Sequence, residues 1–317
     1  MKKVNTRTFA IVTFAVGSLL LAGCSGQSLA ETKPAPGNDS AAIQNPVPSG
    51  DLAAGVLKGI AVNKDLAARV PAGIKTDGFK VATADGYPPM EMFDKDGKTM
   101  VGIDMSLMRA IGNMWGVKVV IDNADQNSMI PGVASGRYDV VISGLNDTAA
   151  RREKVTFVDY AKSSGAIIVA KGNPKGIKAP ADLCGKTLAV LDNGFYMQLA
   201  KGYSDDCTKK GQGAIQILGF ASDPEALLQL QNGRADAGMN DFPVGVFRAK
   251  EAKGAIEAIE IPGTALFGIG IDPTNKELVS LVQDTMTQLM QNGNYGKIFA
   301  SWDLTGMAIP EATINKG

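Results

Sequence analysis

The chain contains no histidine. That removes Ser-His and Cys-His nucleophilic chemistry, imidazole general-base catalysis and His-ligated zinc together. Cysteine is scarce, three in 317 residues. That is too few for a disulfide-framework mini-protein or a four-thiolate metal site. Net charge is missing as well. The 32 basic and 32 acidic residues cancel, which argues against a broad nucleic-acid-binding face. The apolar run from Phe9 to Leu21 is too short for a comfortable membrane span. What remains is an ordinary globular balance, 45% hydrophobic and 20% charged, so disorder over the whole length is excluded. The length allows about two domains.

The charges are unevenly placed. Lys2, Lys3 and Arg7 precede the apolar run with no acid among residues 1–23, leaving 29 basic against 32 acidic residues in the remainder. A basic start followed by a short apolar stretch reads as an export signal. It ends in Leu21-Ala22-Gly23-Cys24, which resembles the bacterial lipobox. The resemblance implies cleavage of signal 1–23 and lipidation of Cys24, palmitate included. Several acyl chains on one residue anchor stably where a single chain is marginal. An uncleaved anchor, or an ordinary signal with an incidental cysteine, stays open. Residues 24–50 are rich in Ser, Gly, Ala, Pro, Asn and Gln, with Pro34, Pro36, Pro46 and Pro48 disfavouring a helix. They read as a flexible tether. Export also suits Cys184 and Cys207, which leave no odd thiol once Cys24 is lipidated. A bridge between them would close a loop of about 23 residues, worth about 3 kcal/mol in the loop-entropy model. Two free buried cysteines are the alternative.

The body alternates strands and helices. Asp51 to Arg69 reads as short amphipathic helix, and Phe79 to Ala84 as a strand broken by Gly86-Tyr87-Pro88-Pro89. Leu107, Met108, Ile111, Met114 and Trp115 have helical spacing over Asp104 to Trp115, and Gly116 stops that helix. Val117 to Ile121 is a β-branched strand, Met129 to Ser135 a helix and Tyr138 to Ser143 a strand. Thr148 opens a helix with Arg151 in its first turn. The second half repeats the pattern: strand Thr187 to Leu191, helix Phe195 to Tyr203, strand Ile215 to Leu218, a helix capped by Asp223-Pro224, strand Ala235 to Met239, a helix from Pro243, and a long helix Asn275 to Met290.

An internal echo joins the halves. Gly136-Arg137-Tyr138-Asp139-Val140 matches Gly233-Arg234-Ala235-Asp236-Ala237, each after an aliphatic helix. Two occurrences make two similar α/β lobes rather than a solenoid. Ligands of open α/β sheets sit at the carboxyl ends of strands. Facing lobes would bring Ser143-Gly144 and Asp241 to one cleft. Arg151 at a helix start offers a planar fork beside free backbone N–H groups, a carboxylate receptor. Asp241 suits an ammonium group, although it also stands where a cap for the helix at Pro243 would. Together they suit a zwitterion.

From Phe79 to Trp302 the chain resembles the family 3 extracellular solute-binding proteins of bacterial ABC importers of polar amino acids. The resemblance rests on ordered motifs: Tyr87-Pro88-Pro89-Met90-Glu91, Val101-Gly102-Ile103-Asp104, Met129-Ile130-Pro131-Gly132, Gly136-Arg137-Tyr138-Asp139, Ser143-Gly144-Leu145-Asn146 through Arg151, Ala181-Asp182-Leu183-Cys184-Gly185-Lys186, Asn232-Gly233-Arg234-Ala235-Asp236, and Asn294-Tyr295-Gly296 ahead of Trp302. It implies a two-lobed α/β periplasmic-binding-protein-like fold of type II, each lobe a sheet flanked by helices. Two hinge segments are expected near Ile167–Val169 and Leu266–Gly270. The expected layout is residues 51–169 in lobe one, 170–266 in lobe two, and 267–317 returning to lobe one with the C-terminal helices. The implied ligand site is Ser143, Gly144, Asn146 and Arg151 on the carboxylate, Asp241 on the α-ammonium, Tyr87 against the ligand side chain, with Gln126 nearby.

Three departures matter. The position five before Pro131, often apolar or aromatic in relatives, is Gln126 here. The acid that many relatives carry three residues before Tyr87 is Ala84 here, with Asp85 one place on, which leaves Asp85 and Glu91 uncertain readers of a cationic side chain. The usual Gly-Thr-Thr or Gly-Ser-Thr loop is Asp192-Asn193-Gly194-Phe195, so backbone donors of Gly194 and Phe195 stand in for a hydroxyl, and Phe195 with Tyr196 offers an aromatic wall. The resemblance implies a monomeric receptor without cofactor or metal, no enzyme, anchored outside the membrane by lipid alone and delivering an amino acid to a permease. A receptor for an opine or betaine-like solute is the nearest alternative. A dehydratase-type enzyme on the same fold and a signalling module are the more distant ones.

Overall fold

The computed structural model describes residues 45–317. The signal, Cys24 and tether residues up to 44 lie outside the described residues. Residues 45–50, assigned to the tether from composition, are seated on the body. The buried Asn45 side chain accepts from the Val119 N–H (2.6 Å) and donates to Val117 O (3.0 Å) and Asn113 Oδ1 (3.1 Å).

The single helix expected over Asp51 to Arg69 is two, α1 (Ala54–Leu57) and α2 (Lys64–Arg69), and a third, α3 (Ala72–Asp77), follows. The break comes after Gly59, where Asn63 starts a new helix by accepting from the N–H groups of Asp65 and Leu66 (3.1 and 3.2 Å). Pro71 ends α2 and stands at the N-cap of α3.

Lobe one then runs β1 (Phe79–Thr83), a hairpin of β2 (Met92–Phe93) and β3 (Met100–Val101), α4 (Ile103–Trp115), β4 (Val119–Asn123), α5 (Gln126–Ala134), β5 (Val140–Val141) and α6 (Ala149–Arg152). The long strand β6 (Thr156–Ala170) leads into lobe two: a 3-10 turn (Pro180–Leu183), β7 (Thr187–Leu191), α7 (Phe195–Lys209), β8 (Gln216–Phe220), α8 (Asp223–Gln231), β9 (Ala237–Asp241) and α9 (Phe242–Glu251). The equally long β10 (Ile256–Ile271) returns, followed by α10 (Lys276–Gln291), α11 (Asn294–Ser301) and a last 3-10 turn (Thr305–Met307).

All eight principal strands form one sheet in the order β4-β1-β5-β10-β6-β9-β7-β8. Its two wings mirror each other. In one, β1 lies parallel between β4 and β5; in the other, β7 lies parallel between β8 and β9. The antiparallel pair β6 and β10 forms the spine between them. The sequence echo has a structural counterpart. Gly136 and Gly233 stop their helices at positive φ (+74° and +69°). Asp139 then accepts from the Lys80 N–H (2.7 Å) and Asp236 from the Thr187 N–H (2.9 Å), each fastening the start of a wing's middle strand.

Each lobe has its own core. In lobe one every residue of α4 is buried. Leu107, Ile111 and Trp115 share the core with Phe79 and Val81 of β1 and with Leu278, Val282, Met286 and Leu289 of α10. Arg109 survives burial by pairing with Asp51 (3.2 Å) and donating to Met100 O (2.7 Å). Lobe two has a smaller core that includes Ile167, Val169, Leu188, Val190, Met197 and Ile261. Ile167 and Val169 belong inside lobe two, and Phe267 and Ile269 inside lobe one. The β6–β10 register shifts between Ile261 and Ala265, opposite Gly165 and Ser163. The spine changes wings at this irregularity. Cys184, beside the 3-10 turn, is disulfide-bonded to Cys207 of α7, with Cα atoms 5.5 Å apart.

Candidate functional site

The parallel strands of both wings direct their carboxyl ends at the gap between lobes. The loops after β1, β4 and β5 bring Ala84 to Tyr87, Asn123 to Gln126 and Ser143 to Asn146; those after β7, β8 and β9 bring Leu191, Gly194, Phe195, Ser222, Asp223 and Asn240. Together they enclose a cavity of about 210 Å³. Among the described residues lining it, Arg151 is the single base, against the acids Asp85, Glu91, Asp125 and Asp223.

Arg151 reaches the cavity because Thr148 caps the one-turn α6, its hydroxyl accepting from the Arg151 N–H (3.4 Å). One guanidinium nitrogen donates to Asn146 O (2.9 Å). Burial lowers the guanidinium's pKa, and the neighbouring Tyr87 and Asp241 act against this. Asn146 adds a buried amide Nδ2 with no hydrogen-bond partner. Across the gap, Gly194 is the N-cap of the fifteen-residue α7 and supplies no side-chain cap. First-turn N–H groups at Phe195 therefore remain available to an anion. Phe195 and Tyr196 both line the cavity, their rings edge to face at 5.2 Å. Gln126, at the start of α5, lines it from the lobe-one side.

Three expected contacts are arranged differently from the simplest picture. Asp241 is buried behind the wall, its carboxylate accepting from Tyr196 Oη (2.8 Å) and from Tyr87 Oη. Burial pushes its pKa up to about 6, and the two hydroxyls act against that rise. Asp241 also stands at the N-cap of α9, but its side chain makes no capping bond there. The Ser143 hydroxyl donates to Glu91 Oε1 (2.7 Å). The Gly144 N–H donates to Asp104 Oδ2 (2.8 Å). Gly144 itself is obligatory: it has φ +50°, and a Cβ there would sit 2.9 Å from the Tyr87 ring.

Sequence reasoning missed several neighbours. Tyr196, expected in an aromatic wall, is also a donor to Asp241. Asp223 was read as a helix cap. Ser222 holds the cap position, and Asp223 faces the cavity as the first residue of α8. Asp223 accepts from the Asn240 amide and lies 3.8 Å from Arg248, which also donates to Gly86 O of lobe one (2.6 Å) and to Glu251 (3.1 Å). Burial pushes Asp223 up to about 6, against the pull of Arg248. Asp85 is fastened to the hairpin by accepting from the Phe93 N–H (3.0 Å). The echo motif, followed by a strand ending in polar residues, was the available signal for Asn240. Nothing local signalled that Glu91 and Asp104 meet.

Two lobes with strand ends converging on an enclosed polar cavity match a known family. A family model of the bacterial extracellular solute-binding proteins, family 3, matches residues 79–305. The chain belongs to that family. The chain is similar in fold to a solved ancestral arginine-binding protein bound to arginine, 30% identical with a TM-score of 0.65, covering 71% of this chain and 97% of that one. This family 3 protein is also similar to the arginine-binding protein ArgT of Corynebacterium glutamicum, 29% identical over 80% of this chain and 83% of the relative. The L-cystine-binding protein TcyA of Bacillus subtilis is 28% identical over 95% and 97%. Each of these relatives is a binding protein rather than an enzyme. Among the described residues of this family 3 protein, no helix is long and apolar enough to cross a membrane, and no cluster of acids and cysteines could hold a metal ion.

Proposed function

We propose that this protein captures an amino acid between its lobes and delivers it to an ABC importer permease, held outside the membrane by a lipid on Cys24. The observation that carries the reading is that the Arg151 guanidinium of lobe one and the uncapped start of α7 in lobe two line one cavity. A carboxylate between them is held by a planar fork and by backbone donors at once. The unpartnered Asn146 amide adds a third donor. Asp241 is the acid for the α-ammonium, reached when the ligand displaces the Tyr87 hydroxyl. Both lobes then grip the same solute, and closure follows from contacts that the open form lacks. The arginine and cystine relatives support an amino acid as ligand.

The test is a thermal-shift screen of the purified protein against the common L-amino acids, L-cystine and several opines and betaines. A ligand that binds only the folded state raises Tm by mass action. One amino acid is expected to give a saturable shift without being consumed. Arg151→Ala and Asp241→Ala should abolish that shift while the ligand-free proteins stay folded. If both variants respond like the parent, the assignment of the site fails. The Asp192-Asn193-Gly194-Phe195 loop, which offers backbone donors in place of a hydroxyl, favours the opine or betaine reading as the second choice. A shift from those solutes alone would select it.

A further inference from the structure

Two buried carboxyl groups stand at the cavity floor, Glu91 lining it and Asp104 behind. Glu91 and Asp104 are both buried, and they hold consecutive residues of the loop after β5. Glu91 Oε1 accepts from the Ser143 hydroxyl (2.7 Å), and Asp104 Oδ2 from the Gly144 N–H (2.8 Å). Their backbones are joined as well, the Asp104 N–H donating to Met90 O (3.1 Å). Asp104 has a second donor, Tyr160 Oη at 2.6 Å on Oδ1. Glu91 has none: its Oε2 is buried with no hydrogen-bond partner. A carboxylate oxygen in that position is costly, and a proton on Oε2, donated to the neighbouring Asp104, removes both the orphan and the like-charge repulsion. Asp104 has two donors and Glu91 one, so Glu91 is the member that takes the proton.

The consequence falls on Ser143. An ionised carboxylate only accepts, so a charged Glu91 holds the single hydroxyl proton of Ser143 toward itself. Charge-assisted hydrogen bonds are about twice as strong as neutral ones. When Glu91 is neutral, its Oε1 is an ordinary carbonyl oxygen, and an arriving ligand carboxylate outcompetes it for that proton. Resting on the amino-acid reading above, we propose that Glu91 is a positioning residue that acts in its protonated form, releasing the Ser143 hydroxyl to the ligand carboxylate, and that at pH values where the ligand-free site has lost this proton, ligand capture draws it back from solvent.

The surroundings agree. Asp104 of α4 and Asp85 of the loop after β1 both act to keep Glu91 neutral, and burial pushes its pKa well above the ordinary carboxylate range. Tyr160 of β6 and the Gly144 N–H stabilise charge on Asp104. Asp125 of the loop before α5 lines the same cavity and adds negative charge, whereas Arg151 of α6 is the cation the ligand carboxylate shares with Ser143. Tyr87 pairs with Glu91 through its backbone and turns its hydroxyl to Asp241, not to Glu91.

Glu91→Gln is the decisive variant. Its amide reproduces the protonated group, a carbonyl toward Ser143 and an N–H toward Asp104, and cannot ionise. The parent and the variant would be titrated by calorimetry with whichever L-amino acid, histidine and cysteine excepted, gives the larger thermal shift, at pH 6.5, 7.5 and 8.5. Above the pKa of the free site, linkage weakens parent affinity by up to about tenfold per pH unit. The expected result is a loss of about tenfold or more across the range for the parent and less than about twofold for Glu91→Gln. Repeating the parent titration at pH 8.5 in two buffers of different ionisation enthalpy should show proton uptake that rises toward one per ligand where affinity falls with pH. Equal pH profiles, absent proton uptake, or a folded Glu91→Gln that no longer binds would overturn the proposal while leaving amino-acid binding intact. No shift with any amino acid at any pH would overturn both. Should the variant fail to fold, the parent's proton uptake decides alone.

Discussion

At the residue scale, the acid proposed for the ligand's ammonium is set by its neighbours more than by its own chemistry. Asp241 is buried and its pKa is raised to about 6, with the Tyr196 hydroxyl among the donors that keep it from rising further. An ammonium pairs with the ionised form, so affinity should fall as pH drops through about 6. Tyr196→Phe removes one donor to the charged form. The acid limb of the binding profile should then move to higher pH, read by titration of the same ligand in both proteins; an unmoved limb would separate Asp241 from recognition. Gly144 presents the opposite kind of constraint, a residue fixed by space. Gly144→Ala places a methyl 2.9 Å from the Tyr87 ring at a φ of +50°. It should weaken binding by about tenfold or more, because misplacing a positioning group by about 1 Å costs on the order of 100-fold at worst. Retained affinity in equilibrium dialysis would show that Tyr87 can shift freely.

At the element scale, the echoed helix–glycine–strand units explain why two wings of such different sequence fold alike. In each, a glycine at positive φ turns the chain, and an aspartate four residues into the motif ties the next strand to the wing's centre. This was legible in the sequence because glycine stops and β-branched runs are local signals. The short β5 was not. Tyr138 to Ser143 reads as a full strand, yet pairing covers Val140–Val141, because Ser143 and Gly144 turn to hold Glu91 and Asp104. The disulfide belongs to this scale too. It joins Cys184 to the far end of α7, twelve residues and about 18 Å along the helix from the cavity. Replacing both cysteines by serine should cost about 3 kcal/mol in urea unfolding, with ligand affinity of the folded protein unchanged. A large loss of affinity would mean that the bridge positions the start of α7.

At the scale of the molecule, buried acid groups make stability depend on pH in a definite direction. Asp104, Asp159, Asp223 and Asp241 are each raised to about 6, chiefly by burial. A carboxyl whose folded pKa exceeds its unfolded value stabilises fully below the unfolded value, about 4, and loses that contribution as pH rises through about 6. The exposed Asp96 and the partly exposed Asp94 and Asp236 are lowered, so they oppose this trend only under more acidic conditions. Ligand-free Tm should therefore climb as pH falls from 8 to about 5. A Tm that is flat or falls over that range would show that these groups are hydrated in the folded protein. The sequence by itself determined the alternation of elements, the echo that makes two lobes, and the loops at strand ends where Arg151, Gln126, Gly194 and Phe195 reach the cleft, because those follow from spacing and glycine stops within a few residues. Tertiary structure alone decided which side chains meet: Glu91 with Asp104, Tyr87 and Tyr196 on Asp241, Arg248 against Gly86, and the point where the spine changes wings. Each of these depends on strand pairings between residues far apart in the chain, and a hydrogen bond between distant residues leaves no periodic trace in the sequence that makes it.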